Sequence, residues 1–469
     1  MILRWSSGSL GALVAVVALG GACSSSSGGF DGGSGFTDGG GRDGATDTGS
    51  SSGGGFDSSS SSGDDASGSS SGSGSSGGDA TTDAPYDFDG FSHLDGYSDA
   101  SYCPDDDGDG WTVCGGDCND HDSLVNPCAF DTNDPNDPVG TDGVDNDCDG
   151  YVDNLITCET GLVSSHDANP ADYAHAADLC DNPMCPRIAS ALWYGPTLAD
   201  TKRITGHMGN SGEFVPRTLP ANPAGAPAAT NVYMSFLSNG TADDDTDTPS
   251  YVTCPGTDFS STFVNPMPLT AAQNVNPCGQ GKDESTVSVH DYTELRMGIT
   301  APINAGSFSF DFAFFSEEFP VYVCQGFNDT FLAIQTSKQF PSGQQIAFDA
   351  NNHRINVNNA FFQDCNSCNN CVPGFTFDVT CNANSLALLD GTSYEKLLAP
   401  STVPASQCNL QHGSGGTDWL TTTSPVDPGE TLTLSWIIFD ENDGILDSAV
   451  ILDHFHWHST TLGSPVTGR

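Results

Sequence analysis

Two short stretches of the chain place aspartates at alternate positions immediately before a glycine. They are DDDGDG at 105–110 and DNDCDG at 145–150. This spacing turns successive carboxylates toward one centre, and the glycine permits the sharp backbone turn that such a loop needs. Hard oxygen ligands in a flexible loop favour calcium. The predicted ligands are Asp105, Asp107, Asp109, Asp117 and Asp120 in the first loop, and Asp142, Asp145, Asp147, Asp149 and Asp153 in the second.

Neither loop is an EF-hand. The position that would need a bidentate glutamate is Gly116 in the first loop and Ile156 in the second. Pro, Gly, Asn and Asp flank both loops, so helices are not expected there. The pattern therefore predicts a structural calcium site and not a helix-opening sensor. A solvated acidic linker is one alternative. Copper is another, but His121 is the single imidazole between residues 101 and 158, and that stretch contains no methionine.

These loops resemble a known bacterial repeat. GDCND at 116–120 and DGVDNDCDG at 142–150 are similar to the Asp-rich metal-binding repeat of bacterial surface proteins, and in principle to thrombospondin type 3 calcium repeats. The resemblance implies that ions and disulfides replace a hydrophobic core. An Asn/Asp/Pro-rich insert at 127–140 departs from the repeat, so the spatial relation of the two loops stays open.

Beyond residue 159 the hydrophobic pattern has a period of two. Alternating segments predict strands over Thr286–Ile299, Ser307–Phe315, Thr431–Phe439 and Ala449–His458. Phe308, Phe310, Phe312 and Phe314 would line one buried face of the second strand. A short helix is expected over Ala171–Asp181. The predicted fold class is all-β, with an antiparallel, jelly-roll-like β-sandwich as the main domain.

Acidic residues also stand where these strands end. The segments SFSFDFAFFSEEFP, FNDTF and DENDGILDSAVILD resemble the choice-of-anchor L family, exported bacterial β-domains with no established enzymatic activity, over residues 160–461. By analogy, the candidates for a second cation site are Glu317, Glu318, Asn328, Asp329, Asp440, Asp443 and Asp447. The alternative is that these groups cap turns and bind backbone amides.

DHFHWH at 453–458 places three imidazoles at alternate positions. His454, His456 and His458 would share one face of a strand and could bind zinc or copper. The alternative is a polar outer face over a buried aromatic one formed by Phe455 and Trp457.

The composition indicates an exported protein. With 61 acidic and 12 basic residues the net charge is −49, which excludes nucleic acid as a partner. Residues 1–23 resemble a lipoprotein signal peptide ending at Cys23, although simple cleavage and secretion remain the alternative. A disordered Ser/Gly/Asp tether is predicted over 24–100, an Asp/Cys-rich calcium module over 101–158 and the β domain over 159–469. The sixteen cysteines other than Cys23 are expected to form eight disulfides.

No catalytic motif stands out. The HExxH, GxSxG, P-loop and GxGxxG patterns are missing from the sequence after residue 100, where a folded catalytic domain would have to lie. We therefore expect a cell-surface protein, held by a lipid at Cys23 or secreted, that binds calcium and an unknown surface or matrix ligand. Its β domain would serve adhesion or surface architecture. The competing hypothesis is a glycan-directed hydrolase that uses Glu317 and Glu318.

Overall fold

The fold is taken from a computed structural model of the chain. It describes residues 103–195, 201–208, 214–242, 262–263, 288–319, 328–359, 361–362, 364–365, 389, 394, 415–442 and 444–469. These residues fall within one compact unit, Asp89–Arg469. The predicted signal peptide, Cys23 and the tether lie outside them. No helix in the described ranges is long and apolar enough to cross a membrane.

Almost all of the regular secondary structure in the described chain is β-strand. The helix α1 (Pro170–His175) precedes the strands. The strands are β1 (Ile188–Tyr194), β2 (Lys202–Thr205), β3 (Met234–Ser238), β4 (Thr262–Phe263), β5 (Val289–Thr300), β6 (Ser307–Ser316), β7 (Thr330–Thr336), β8 (Gln344–Gln345), β9 (Ile355–Asn356), β10 (Asp364–Cys365), β11 (Gly415–Gly416), β12 (Leu420–Pro425), β13 (Thr431–Glu441), β14 (Ser448–His458) and β15 (Val466–Gly468).

Two antiparallel sheets contain these strands. In the first sheet the order is β1-β5-β13-β7-β8, with β4 beside β5 and β9 beside β7. In the second the order is β10-β11-β6-β14-β3-β2, with β12 pairing both β6 and β15. Neighbours in the sheets are mostly distant in sequence, as in the pairing of β14 with both β3 and β6.

The hydrophobic core lies between the two sheets. One face of β6 carries Phe308, Phe310, Phe312 and Phe314, all fully buried. Phe310 packs on Trp436 of β13 with ring centroids 5.5 Å apart, and Phe312 packs on Phe331 at 5.0 Å. Strands of both sheets therefore meet through these rings, which confirms the predicted all-β sandwich and the predicted phenylalanine face.

The four predicted strands are present with small shifts at their ends. Alternation identified them because one face of each packs against the opposite sheet. The predicted helix over Ala171–Asp181 is shorter, since α1 begins at Pro170 and ends at His175. Asn169 and Asp172 form a capping box at its start. Asp178, three residues after α1, adopts a φ of 64°, which a helix cannot continue through.

The acidic segment 103–158 contains little regular structure, apart from a 3₁₀ turn over Val113–Gly115. Disulfides hold it: Cys103–Cys114 lies within the first loop and Cys118–Cys148 joins the two loops. Cys128–Cys185 and Cys158–Cys180 connect the segment to the chain around α1 and β1. Covalent bonds thus fix this nearly core-less segment both internally and to the sandwich.

Candidate metal centres

The first acidic loop gathers its carboxylates around a backbone turn. Oxygens of Asp105, Asp107 and Asp109 lie within 4.8 Å of one another. Both oxygens of Asp105 accept backbone amides, from Gly108 at 2.6 Å and Gly110 at 3.0 Å. These two glycines have φ values of 81° and 96°, a backbone conformation that other residues rarely adopt.

The two later aspartates predicted for this loop lie near it. Burial raises the pKa of Asp117, and the charges of Asp109, Asp107 and Asp120 raise it further. Asp120 accepts the Asp106 amide at 3.3 Å. One oxygen each of Asp107 and Asp117 is buried and accepts no hydrogen bond from the described chain. Three carboxylates therefore converge in this loop, and two more lie close enough for their charges to interact with them.

The second loop repeats the hydrogen-bond pattern of the first. Gly150, with a φ of 93°, donates to Asp145 Oδ2 at 2.9 Å, as Gly110 donates to Asp105 Oδ2. The Tyr151 amide donates to Asp149 Oδ1 at 2.9 Å, as the Trp111 amide donates to Asp109 Oδ1 at 2.7 Å. The shared sequence pattern thus produces one loop conformation twice.

A third carboxylate lies beside Asp145 and Asp147 of the second loop, and the sequence did not predict it. Oxygens of Asp131, Asp145 and Asp147 lie within 4.8 Å of one another, and Asp131 belongs to the insert that departs from the repeat. Burial raises the pKa of Asp131 to about 8, helped by the charges of Asp147 and Asp153. Burial likewise raises the pKa of Asp147 to about 7. No sequence spacing indicates Asp131 as a ligand, because tertiary packing is what brings it next to Asp145 and Asp147.

Asp142 and Asp153 occupy different positions around this loop. Asp142 is exposed and its Oδ1 accepts the Val144 amide at 2.8 Å, so it caps the turn that leads into the loop. Asp153 accepts the Gly143 amide at 3.2 Å and its charge acts on Asp131. In this structure Asp142 is thus a turn cap at the entrance of the loop.

The third group is buried inside the β domain. Glu318 follows β6, Asp329 precedes β7 and Asp440 lies near the end of β13, so three strands of two sheets meet there. Oxygens of these three residues lie within 4.8 Å of one another. Two further carboxylates, Glu317 and Asp447, join them: the charges of Asp447 and Asp329 both act on Glu317.

Burial of this group is complete. Glu317 and Asp329 are each 0% exposed, and burial raises the pKa of both well above the usual range. Some oxygens are satisfied, since the Asp329 amide donates to Glu318 Oε2 at 2.9 Å and the Ser448 hydroxyl donates to Asp329 Oδ2. Glu317 Oε1 and Asp329 Oδ1 accept no hydrogen bond from the described residues.

Packing around this group is tight at one glycine. A Cβ placed on Gly240 would lie 1.9 Å from Asp447 Cγ, so only glycine lets the Asp447 carboxylate occupy its position. The adjacent Asn239 accepts the Ser448 amide at 2.6 Å. Neither residue was predicted from the sequence, because β3 comes close to β14 only through the sheet pairing.

Two further residues were predicted for this group, Asn328 and Asp443. Asn328 is buried, and its side-chain oxygen accepts from Asn358 Nδ2 at 2.6 Å, while its carbonyl oxygen accepts from the Thr330 hydroxyl. Its side-chain oxygen is therefore already engaged by another part of the chain. Asp443 lies outside the described residues.

The three histidines of β14 stand in a row. Their rings follow one another at centroid distances of 5.6 and 5.5 Å, while Phe455 and Trp457 face the core. Each imidazole has its own partner: His454 contacts Asp311, His456 contacts the Thr132 hydroxyl and His458 contacts the Ser309 hydroxyl. They do not form one of the converging ligand groups of the described chain. Burial lowers the pKa of His456 to about 3, so this ring is neutral.

A fourth acidic cluster is satisfied by donors instead. Asn231 Nδ2 donates to Asp178 at 2.8 Å and to Asp453 at 2.9 Å, and the amides of Val232 and Tyr233 donate to Glu159. Burial raises the pKa of Glu159 to about 7 and that of Asp453 to about 6. N–H groups already occupy these oxygens, which leaves them poorly placed to bind a cation, and burial favours the protonated forms.

Comparison with known proteins supports a surface location. Residues 268–456 match the family model of the choice-of-anchor L domain. This stretch includes β5 to β13 and most of β14, and with them all five carboxylates of the buried group. Comparison with curated proteins and with solved structures gave no match. The matched domain indicates a bacterial protein of the cell surface or extracellular space with a β-rich fold.

Proposed function

We propose that this chain is an exported, lipid-anchored bacterial surface protein in which calcium ions hold both the acidic module and the β domain. The β domain would serve adhesion or the architecture of the surface or matrix. The observation that carries the proposal is the burial of Glu318, Asp329 and Asp440 at mutual distances within 4.8 Å. These carboxylates need either protons or a cation, because uncompensated charge in a low-dielectric interior is very costly.

Geometry favours a cation of calcium size. Oxygens that bind one calcium ion at 2.3–2.6 Å lie at most about 5 Å apart, which suits the separation within this group. The ligands are oxygens alone, and calcium and magnesium prefer oxygen whereas zinc and copper favour nitrogen and sulfur. The ion pair of Arg354 and Glu441 lies close by. A cation among the carboxylates would offset the repulsion between their negative charges.

The two acidic loops support the same chemistry. Each presents a first aspartate whose two oxygens are oriented by backbone amides. Asp107 and Asp117 in the first loop, and Asp131 of the insert beside the second, each add a buried oxygen that accepts no hydrogen bond from the described chain. Such loops fold around an ion, since without one their carboxylates repel each other. Calcium at all three groups would make the protein stable wherever extracellular calcium is present.

The lipid anchor is proposed from the sequence around Cys23. A lipidated Cys23 followed by a long Ser/Gly/Asp tether would hold the folded part well clear of the membrane. Replacing Cys23 by serine, Cys23→Ser, is expected to move the protein from the membrane fraction to the medium. Retention of the variant in the membrane fraction would contradict lipid anchoring.

We further propose that the protein acts by binding and not by turnover. The hydrolase alternative needs Glu317 and Glu318 to reach a substrate, but the two residues are 0% and 1% exposed. A panel of glycans should show no hydrolysis by the purified protein. Hydrolysis that Glu317→Gln abolishes would support the hydrolase instead.

Elemental analysis of the purified exported protein tests the metal proposal. We expect calcium at about three equivalents per chain, one for each oxygen group. Stoichiometric zinc or copper with no calcium would contradict the proposal and would point to the histidine row of β14.

A further inference from the structure

The insert that interrupts the acidic repeat is the part of the module that packs on the β domain. We call residues 128–139 the docking segment. Phe130 is buried in the sandwich core, and its backbone amide and carbonyl both bind the Asn304 side chain, at 2.9 and 2.8 Å. Thr132 contacts His456 Nε2 at 3.0 Å. Asp137 accepts the Ser459 amide at 3.0 Å.

Asp131 lies between Phe130 and Thr132, which both contact the β domain. Its own carboxylate lies instead beside those of Asp145 and Asp147 in the second acidic loop. Asp131 is 6% exposed, and its Oδ2 accepts no hydrogen bond from the described residues. Asp147, its partner in the loop, is 1% exposed. An unpartnered buried oxygen next to two other carboxylates is the environment in which a bound cation is expected.

The nearby positive charge does not occupy this position. Arg187 Nη1 donates to the Cys128 carbonyl at 2.8 Å and Nη2 donates to the Ala129 carbonyl at 2.5 Å. The guanidinium therefore holds the start of the docking segment, although its charge still acts on Asp147. Asp131, Asp147 and Arg187 also line a cavity of about 60 Å³, which has room for an ion with one or two water ligands.

We propose that Asp131, Asp145 and Asp147 bind one calcium ion that latches the acidic module to the β domain. This inference rests on the proposed function, because it assigns a role to one of the three ion groups. The ion bridges the second loop to the docking segment, so ion binding stabilises the contacts of Phe130 with Asn304 and of Thr132 with His456. Without the ion, these buried carboxylates must take up protons or repel each other, neither of which ties the loop to the docking segment, so the docking segment loosens.

Hydrogen exchange of the full chain, with 5 mM calcium or with EDTA, tests the latch. Calcium is expected to slow exchange in peptides that cover the docking segment and residues 454–459 by roughly tenfold, as for typical coupled sites. Asp131→Asn keeps the size of the side chain but removes the ligand charge. It should abolish this slowing and leave the slowing in the first loop, residues 103–120, intact. Asp145→Asn, which alters the loop side of the same site, should have the same effect.

Asp134→Asn is the matched control. It lies in the same segment, its carboxylate accepts hydrogen bonds from Asn136, and it is not one of the three converging carboxylates, so the calcium effect should persist. Calcium protection in both loops without any change in the docking segment would overturn the latch and leave the proposed function standing. Unchanged protection in Asp131→Asn would also overturn it. No calcium response anywhere in the chain would overturn the proposed function itself.

Discussion

Arg354 lies immediately before β9, and Glu441 is the last residue of β13. They form a buried ion pair in which Arg354 Nη1 lies 2.8 Å from Glu441 Oε1. Thr330 also donates to Glu441 Oε1, at 3.2 Å. Asp440, the preceding residue, belongs instead to the buried acidic group. Two adjacent carboxylates of β13 thus have different surroundings: Glu441 is paired with an arginine, and Asp440 lies among other buried carboxylates and accepts the Ile445 amide at 3.1 Å.

The first prediction concerns this ion pair. Glu441→Gln should lower the free energy of unfolding by about 3–5 kcal/mol, because it leaves a buried arginine without its counter-charge. The loss should be the same with calcium and with EDTA, as measured by chemical denaturation. Arg469→Gln is the control, since its partner Asp418 is partly exposed, and we expect a loss of at most about 1 kcal/mol. A calcium-dependent loss in Glu441→Gln would show that Glu441 is a ligand and not merely a partner of Arg354.

The second prediction concerns Asp329, whose substitution should have opposite effects with and without calcium. In EDTA, Asp329→Asn removes one of five crowded carboxylates and should raise the melting temperature. In calcium it removes a ligand and should lower the melting temperature, since an ion at a hundred times its Kd contributes about 2.7 kcal/mol. A decrease of equal size in both conditions would mean that Asp329 is needed for packing alone.

The third prediction concerns pH and the cluster of Asp178, Asp453 and Glu159. Their folded pKa values are raised, chiefly by burial. A raised carboxyl pKa contributes stability that is fully present below the unfolded value, about 4, and is lost as pH rises through the folded value. At saturating calcium, stability should therefore decrease between about pH 4 and the folded values of about 6 for Asp453 and about 7 for Glu159.

Asp178→Asn should flatten this decrease. The amide replaces the protonated carboxyl beside Asp453 and never ionises, and asparagine tolerates the φ of 64° at this position. Denaturation curves at pH 5 and pH 7 measure the effect, with the exposed Asp167→Asn as control. A variant with the same pH slope as the wild type would refute the proton-sharing account of this cluster.

Comparison of prediction and structure shows which features local pattern can reveal. The phenylalanines of β6 alternate because one face packs on the opposite sheet, so the sequence alone identifies that strand and its buried face. The D-x-D-x-D-G spacing likewise identifies the conformation of both acidic loops, since each loop is closed by amides a few residues away. Disulfide connectivity was left open, and within the described part of the chain the structure shows four disulfides.

Contacts between distant segments explain what the sequence did not reveal. Asp131 meets Asp145 and Asp147 only because Phe130 and Thr132 are held by Asn304 and His456, which lie far along the chain. Gly240 is required by Asp447 only because β3 pairs with β14. The local pattern offers the strand-end acidic residues as candidates. Which of them converge depends on the order of strands in two sheets, and a local pattern carries no information about that order.

Thermal melting of the full exported chain with 5 mM calcium and with excess EDTA tests the central claim most directly. If calcium occupies all three oxygen groups, it should raise the melting temperature by about 10 °C, because three ions at about 2.7 kcal/mol each act on one compact unit. Magnesium at the same concentration should have a much smaller effect, since it demands a smaller and more rigid octahedral site. Superimposable curves in calcium and EDTA, together with no calcium uptake by calorimetry, would contradict the claim.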